Sequence, residues 1–319
     1  MSDRVLAIIV CHNPQIDALA VALRAVVKQV AATLVVDNAS VNVAEIEHLL
    51  GVLNIEQPSF SASLLKQTNN LGLGAAHNLG FQFARTHGFN HCLILDQDSV
   101  PMDDMVANLL LAAKSKLAGK AVKLSAVGAT YLNADNGTES FFIKFGALKF
   151  RRQYCAERDS DSCIEADFLI SSGSLIALSA IDDIGLMDEG LFIDHVDTEW
   201  FLRAKSKGYQ AFGVCGAVMQ HGLGEQTHQV SLPTARGRGR QRNVPQHKPF
   251  RYYYIFRNSI VLYKRNYASS LWKWNDSQRL LLIAVMFGVF KKPRWKNLKM
   301  MYKGVVDGIK GVSGPVELN

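Results

Sequence analysis

Short apolar runs alternate with helical patterns along the first hundred residues of the chain. The runs Arg4–Val10, Thr33–Val36 and Cys92–Leu95 are rich in Val, Ile and Leu, which predicts strands buried on both faces. Between them, apolar residues recur every three or four positions over Ala18–Val27 and Ala75–Ala84, which predicts two amphipathic helices. This alternation predicts an α/β fold with a mostly parallel sheet covered by helices.

Local signals predict where these helices begin and end. Asn13 followed by Pro14 predicts an N-cap with proline at the first helical position. A glycine-studded loop from Asn69 leads into the second helix, and Gly88 is expected to end it. A further helix is predicted over Asp197–Lys207.

The pattern changes after the first hundred residues. Between Ser125 and Leu178 polar and apolar residues alternate, and the "NADNG" motif at 133–137 predicts a hairpin turn, so antiparallel strands are expected to join the sheet. The segment Gln226–Lys248 is polar, basic and glycine-containing, which predicts a linker. Residues 241–319 are expected to form a helical, basic C-terminal extension.

Composition and charge define the setting. The chain has 319 residues, of which 48% are hydrophobic, which suffices for a full core. Lys and Arg number 35 against 28 Asp and Glu, so a polyanionic partner is expected: nucleotide phosphates, nucleic acid or an anionic membrane. The five cysteines show no CxxC spacing, which indicates neither a disulfide framework nor a zinc ribbon and favours a reducing cytoplasm.

The sequence also bears on contact with a membrane. The apolar run after Arg4 follows Asp3 and lacks a small-residue cleavage site, so it is interpreted as a strand and not as a signal peptide. The longest apolar stretch, which ends at Phe290, is about half the length that a bilayer span needs. Basic and apolar residues alternate around Trp295, which predicts an amphipathic helix on a membrane surface.

Two acidic signatures lie about a hundred residues apart. In "CLILDQDS" an apolar strand ends on Asp96, and Asp98 lies on the same side of an extended chain, so both carboxylates can hold Mg²⁺ or Mn²⁺ beside a diphosphate. The alternative is a strand end followed by an N-cap for a helix near Pro101. In "FIDHVDTEWFLRA" Asp197 and Glu199 begin a helix, for which an ordinary capped helix with a surface ion pair is the alternative.

Polar residues stand where the predicted strands end, and ligands bind at the carboxyl ends of strands in open α/β sheets. The residues concerned are His12, Asn13, Asp37, Asn38, Asp96 and Asp98.

Five motifs follow one another along the chain: "VVDNAS", "NNLGLGAAHNLG", "LILDQDS", "DFLISSGSLIAL" and "FIDHVDTEWFLRAKSKG". In this order and approximate spacing they resemble the motifs of family 2 glycosyltransferases of the GT-A fold. Over residues 4–265 the sequence is most similar to bacterial rhamnosyltransferases that build O-antigen and related polysaccharides. The resemblance implies a single Rossmann-like mixed sheet flanked by helices. It also implies a catalytic domain over 1–240, with a donor half of about 1–100 and an acceptor half of about 101–240.

The resemblance implies roles for individual residues. Asp197 matches the general base that deprotonates the acceptor; Val196 replaces the family's usual preceding acid, which leaves Asp194 as an alternative. Asp96 and Asp98 match the metal-binding motif, and His221 is a candidate third ligand or a structural histidine. The donor-site candidates are His12, Asn13, Asp37, Asn38, Asn70, Gly72, Asn78, Asp96 and Arg257. The acceptor and sugar candidates are Ser172, Gly173, Glu199 and Trp200.

The function that this resemblance implies is inverting, metal-dependent transfer of a sugar. The expected donor is dTDP-β-L-rhamnose, the acceptor is a growing surface polysaccharide or a lipid-linked oligosaccharide, and the location is cytoplasmic, on the inner face of the membrane. A nucleotidyltransferase acting on sugar phosphates is one alternative, although "CHNPQID" lacks a glycine-rich phosphate loop. A basic nucleic-acid-binding module is another, but acidic strand ends occupy the predicted cleft, so no nucleic acid is expected. A homo-oligomer remains open.

Overall fold

The computed structural model describes residues 3–56, 61–118, 122–133, 137–159, 162–221, 227–232, 240–245 and 247–316. Its strands are β1 Val5–Cys11, β2 Ala32–Asp37, β3 Ala62–Lys66, β4 His91–Asp96, β5 Ser99–Pro101, β6 Lys123–Asn133, β7 Phe142–Lys144, β8 Arg151–Gln153, β9 Cys163–Ala166, β10 Ser174–Ala177, β11 Tyr209–His221, β12 Thr227–Leu232 and β13 Arg240–Pro245. Its helices are α1 Ile16–Val26, α2 Val43–Glu56, α3 Leu73–Thr86, α4 Met105–Ala118, α5 Leu178–Ile184, α6 Val196–Ser206, α7 Pro249–Tyr263, α8 Ser270–Val285 and α9 Arg294–Lys310, with a 3₁₀ turn at Glu189–Leu191 and a π-helical turn at Met286–Phe290.

Four parallel strands form the N-terminal half of a nine-stranded sheet, in the order β3, β2, β1, β4. Cys11 pairs with Asp37, and Val10 pairs with Asp96, so β1, β2 and β4 end at the same edge. The predicted parallel strands are therefore confirmed.

The second half of the sheet is mixed. The strand β10 runs antiparallel between β4 and β6, while β11 runs parallel to β6 and carries β9 and β5 as antiparallel neighbours. The predicted antiparallel additions are confirmed, and the sheet is a single mixed one.

Helices cover both faces of the sheet because the central strands are apolar on both sides. In β1, Leu6 and Ile8 belong to the core under α3, α5 and α6, whereas Ala7 and Ile9 belong to the core under α1, α2 and α4. At about 25 cal/mol per Å² of buried apolar surface, these two cores are the main source of stability.

The C-terminal helices pack on one another through two glycines. A Cβ at Gly304 would lie 2.4 Å from the Tyr253 carbonyl oxygen, and one at Gly308 would lie 2.7 Å from the Arg257 carbonyl oxygen. Only glycine therefore lets α9 approach α7 so closely. The expected helical extension is confirmed from Pro249 onward.

Three local predictions are wrong. The helix α1 begins at Ile16 and not beside Pro14; Asn13 has a φ of 50° and its Oδ1 accepts a hydrogen bond from the Val41 amide. No helix follows Asp98 directly, because β5 pairs with β11 first. The predicted linker contains the paired strands β12 and β13, and residues 233–239, with most of its "ARGRGR" motif, lie outside the described residues.

The cysteine prediction is also wrong, because Cys155 and Cys215 form a disulfide. It joins the chain after β8 to the middle of β11, two segments that only the folded sheet brings together. The cysteine count therefore gives no argument for a reducing compartment. Across the described ranges, no helix combines the length and the hydropathy needed to cross a bilayer.

Candidate functional site

The loops after β1 and β4 meet at the carboxyl edge of the sheet. The His12 amide donates to Gln97 Oε1 at 2.9 Å, and His12 Nδ1 lies 2.9 Å from the Asn38 carbonyl oxygen. The ends of β2, β1 and β4 are thus tied together, as the sequence predicted from their strand positions.

A second set of hydrogen bonds fixes the loops after β1 and β2. The buried Asp37 carboxylate accepts from the Ser40 amide at 3.2 Å, and Ser40 Oγ accepts from the Asn13 amide at 2.9 Å. These contacts hold His12 and Asn13 exposed beside the site. Such preorganised polar loops lower the entropic cost of binding a ligand.

Asn38 connects this edge to the loop before α3. Its Nδ2 donates to Asn70 Oδ1 at 3.0 Å, and its Oδ1 accepts from the Leu71 amide at 2.8 Å. The next residue, Gly72, has a φ of 84°, and a Cβ there would lie 2.5 Å from the Phe192 carbonyl oxygen. Glycine is required because this loop touches the segment that leads into α6.

Asp96 and Asp98 are half-buried at the end of β4. Asp96 donates its amide hydrogen to Ser172 Oγ at 3.0 Å, and Ser172 Oγ lies 2.7 Å from Ser99 Oγ. The Gly173 amide donates to the Ile94 carbonyl oxygen, so residues 172–173 pack directly on the strand that carries the two carboxylates.

The carboxylates suit a divalent cation by their chemistry, since hard oxygen ligands are those that Mg²⁺ and Mn²⁺ prefer. Strand pairing places the backbone of His221 opposite Ser99, one residue beyond Asp98, while its side chain lies outside the described part of the chain. No group of three or more His, Cys, Asp or Glu side chains assembles among the described residues. Asp96 and Asp98 contribute two carboxylates at this strand end.

Asp197 lies in the first turn of α6 and faces the same edge. Burial raises the pKa of its carboxyl to about 6, and the nearby charge of Asp194 acts in the same direction, while the amides of Thr198 and Ser171 donate to it and oppose the rise. A carboxyl that loses its proton near neutral pH is suited to general-base catalysis. The assignment of Asp197 as the general base stays a prediction.

One short loop contacts both acidic signatures. The Ser171 amide donates to Asp197, and the next residue, Ser172, accepts from the Asp96 amide. Residues 171–172 therefore join two acidic groups that lie about a hundred positions apart in the sequence. Sequence reasoning named Ser172 but missed Ser171, since a backbone amide leaves no residue-type signal.

Helix α7 fixes the turn that precedes α6, the helix that carries Asp197. Phe192, Asp194 and His195 have φ angles of 62–65°, which costs on the order of 1–3 kcal/mol for each such residue. Asn258 Nδ2 donates to the carbonyl oxygens of Leu191, Ile193 and Asp194 at 2.8–3.0 Å. Three acceptors on one amide fix this strained turn.

Comparison with known proteins identifies the family. Residues 6–179 match the model of glycosyl transferase family 2. The chain belongs to glycosyltransferase family 2. The glycosyltransferase is 24% identical to the dTDP-rhamnosyl transferase RfbF of Shigella flexneri over 316 residues, which cover 98% of each protein.

Solved structures show the same fold. A mannosyltransferase from Pyrobaculum calidifontis, in complex with GDP-Man and Mn²⁺, has a TM-score of 0.54 at 14% identity over 97% of this chain and 76% of its own. GalNAc-T7 with UDP, GalNAc and Mn²⁺ has a TM-score of 0.55 at 15% identity over 68% of this chain, which spans only 43% of that protein. The glycosyltransferase therefore has the GT-A fold.

Four predicted site residues have structural partners instead, and each is at most 2% exposed. All three guanidinium nitrogens of Arg257 are hydrogen-bonded within the protein, including bonds to the carbonyls of Gly190, Leu191 and Gly314. Asn78 bonds to the backbone of Met187, and Trp200 Nε1 donates to the Gly185 carbonyl oxygen. Glu199 accepts two hydrogen bonds from Arg203 and one from Tyr267. All four side chains are buried among these protein partners, and their roles in donor and acceptor binding stay predictions.

An apolar cavity of about 230 Å³ opens beside Ser172. Its walls include Tyr131, Phe141, Phe168 and Ile170. The Arg152 guanidinium lies 4.3 Å above the Phe141 ring and so places a positive charge close to this aromatic wall. The glycosyltransferase thus has an aromatic pocket next to the loop that joins Asp96 and Asp197.

Proposed function

We propose that the glycosyltransferase is an inverting, metal-dependent enzyme that transfers L-rhamnose from dTDP-β-L-rhamnose to a saccharide hydroxyl. The observation that carries this proposal is the loop 171–172, which contacts both the Asp96 strand end and the Asp197 carboxyl. In this proposal the loop holds the base and the leaving-group site in fixed relative positions, as catalysis by positioning requires.

Asp197 acts as the general base in this proposal. Its carboxylate takes the acceptor proton while the acceptor oxygen attacks the anomeric carbon, and the bond from that carbon to the diphosphate oxygen breaks. Attack from the side opposite the leaving group inverts the anomeric configuration. Its pKa of about 6 leaves most Asp197 carboxyls ionised at neutral pH and still basic enough to accept a proton.

Asp96 and Asp98 are the proposed ligands of Mg²⁺ or Mn²⁺, together with His221, whose backbone pairs with Ser99. A divalent cation at that point supplies charge stabilisation for the departing diphosphate. The exposed His12 and Asn13, with Asp37, Asn38, Asn70 and Gly72 behind them, form the proposed nucleoside side of the donor site.

The acceptor is proposed to bind in the aromatic cavity, with Ser172 and Gly173 at its inner end. Aromatic side chains pack well against the apolar face of a sugar ring. This location replaces Glu199 and Trp200, which are buried. A surface polysaccharide or lipid-linked oligosaccharide on the cytoplasmic face of the membrane is the proposed acceptor.

The name of the Shigella relative motivates rhamnose as the sugar and dTDP as the nucleotide. Family membership favours neither a nucleotidyltransferase nor a nucleic-acid-binding module.

A donor panel tests the proposal. Purified protein is given dTDP-rhamnose, UDP-glucose, UDP-galactose or GDP-mannose with Mg²⁺ or Mn²⁺, and the release of nucleoside diphosphate is measured. We expect release from dTDP-rhamnose, and an α-linked product in the NMR spectrum when an acceptor is present. Preference for a UDP-hexose would remove the rhamnose assignment, and a β-linked product would remove the inverting mechanism.

A further inference from the structure

Helix α8 carries an apolar stripe that faces solvent. Leu271, Trp274, Leu281 and Val285 follow one another at the spacing of one helix face, and they are 37–67% exposed. The opposite face of α8, which includes Trp272, is buried against the body of the protein. A helix on a protein surface normally presents polar residues to solvent, whereas the exposed face of α8 is apolar.

The apolar surface continues beyond α8. Val289 and Phe290 of the π-helical turn are exposed, and Trp295 at the start of α9 is 85% exposed. The exposed Leu148, in the loop between β7 and β8, lies beside α8 because Gln278 donates to its carbonyl oxygen at 2.9 Å. We call these residues together the apolar stripe.

Basic residues border the apolar stripe. Residues 270–306 contain eight basic side chains and one acidic one, Asp276. Asp276 is buried and pairs with Arg279, so this ion pair adds no net charge to the surface. The other seven basic residues are Lys273, Lys291, Lys292, Arg294, Lys296, Lys299 and Lys303.

This charge pattern disfavours a second copy of the chain as the occupant. A two-fold contact would place the same patch against itself, and two strongly basic borders would then repel each other. An anionic lipid surface has the opposite charge and accepts exposed Trp, Phe and Leu side chains at its interface.

We propose that the apolar stripe binds the surface of an anionic bilayer, with Trp274, Phe290 and Trp295 inserted at the lipid interface. The proposal deepens the proposed function and rests on it only for the lipid-linked acceptor. The sequence predicted the membrane-binding surface on a helix around Trp295, whereas the proposal assigns most of it to α8 and the π-helical turn. Helix α9 uses its Gly304 and Gly308 face to pack on α7, and α8 with the π-helical turn supplies most of the apolar surface.

The stripe is connected to the proposed acceptor cavity. Asn275 of α8 donates to the Gly146 carbonyl oxygen at 2.8 Å, in the same loop that carries Leu148. This loop follows β7, whose residues Phe142 and Ile143 line the cavity. A saccharide carried on a membrane lipid would therefore meet the cavity wall next to the surface that holds the protein on the bilayer.

Vesicle flotation tests the proposal with three forms of the full chain. The wild type is compared with Trp274→Ser/Phe290→Ser/Trp295→Ser and with a matched control, Ile55→Ser/Leu111→Ser/Leu117→Ser, whose three side chains are exposed on other helices. Vesicles contain phosphatidylcholine alone or with phosphatidylglycerol. We expect the wild type and the control to bind anionic vesicles, and the stripe variant to bind on the order of tenfold or more weakly.

Salt and charge provide the second arm. Lys292→Glu/Lys296→Glu/Lys299→Glu is expected to lose binding to anionic vesicles, and wild-type binding is expected to fall as salt rises. Equal binding by the stripe variant and the wild type would overturn the proposal. So would a wild-type dimer in sedimentation that the stripe variant abolishes, since the stripe would then hold a second copy. Nucleoside diphosphate binding, measured without vesicles, reports separately on the proposed function.

Discussion

Asp96 and Ser172 are joined by a 3.0 Å hydrogen bond from the Asp96 backbone amide to the serine hydroxyl oxygen. Ser172 is 3% exposed, and its Oγ also lies 2.7 Å from Ser99 Oγ. The strand end that carries the proposed metal ligands thus depends on a side chain from the loop that also touches Asp197. The proposed metal and base sites thus meet at two adjacent residues, Ser171 and Ser172.

Replacing this residue should separate positioning from general stability. We expect Ser172→Ala to lower the free energy of unfolding by about 1–3 kcal/mol, because the Asp96 amide and the buried Ser99 hydroxyl each lose a hydrogen bond to Ser172. We also expect kcat to fall several-fold, as measured by nucleoside diphosphate release. Ser125→Ala is the matched control, since Ser125 is buried and donates to the Gln210 carbonyl at the other end of β6. A similar loss of kcat in both variants would contradict the positioning role.

Asp197→Asn should remove the general base. We expect kcat to fall by a factor of about 10²–10⁴ with donor binding unchanged. In the wild type the rate should rise with pH through about 6, because the base must be ionised. Asp194→Asn tests the alternative base; if it abolishes this pH dependence and Asp197→Asn does not, the assignment is reversed.

Asp197→Asn should also change the free energy of unfolding, in a direction that follows from the raised pKa. Burial raises the folded-state pKa of Asp197 to about 6, from 3.8 in the unfolded chain. The native state therefore holds this proton more tightly than the unfolded state does. The contribution of Asp197 to the free energy of unfolding falls as pH rises from about 4 to 6. Asp197→Asn removes that loss, so it should be more stable than the wild type above pH 6, on the order of 1–3 kcal/mol. Thermal unfolding at pH 4 and pH 7 measures the difference; a variant that is less stable at pH 7 would contradict the raised pKa.

The features that depend on a local pattern of residues were predicted from the sequence. The buried strands β1, β2 and β4 follow from continuous apolar runs, and ligand residues at their ends follow from the rule that parallel strands end together. His12, Asn38 and Asp96 were correctly placed at one edge for this reason.

What the sequence could not predict depends on packing between distant segments. Arg257 has the chemistry of a diphosphate ligand, but α7 lies against residues 190–195 and turns its guanidinium toward their carbonyls. Glu199 pairs with Arg203, in line with the alternative of an ordinary helix with an ion pair, but the pair is not on the surface, since Glu199 is buried and also accepts from Tyr267. The Cys155–Cys215 pair is 60 residues apart, and sequence spacing carries no sign of it.

Asn258 should act on catalysis through the strained segment before α6. We expect Asn258→Ala to remove the donor of the Ile193 and Asp194 carbonyl oxygens, while Leu191 keeps its bond from Arg257, and to lower the free energy of unfolding by about 2–4 kcal/mol. Loss of the correct Asp197 position should lower kcat, while the dissociation constant of the nucleoside diphosphate stays unchanged. Asn297→Ala is the matched control, since Asn297 is buried and donates to Phe287 in the C-terminal helices. The positioning role fails if Asn297→Ala reduces kcat equally.

Removal of the divalent cation should weaken nucleotide binding before any chemistry occurs. Asp96 and Asp98 stand one residue apart at the end of β4, and their negative charge repels a diphosphate unless a cation lies between. Calorimetric titration with nucleoside diphosphate should show an affinity at least tenfold higher with Mn²⁺ than with EDTA. Asp98→Asn should reduce that metal dependence, whereas Asp103→Asn, on the exposed turn after β5, should leave it intact. An affinity that is the same with Mn²⁺ and with EDTA would show that the two carboxylates do not bind the donor through a metal.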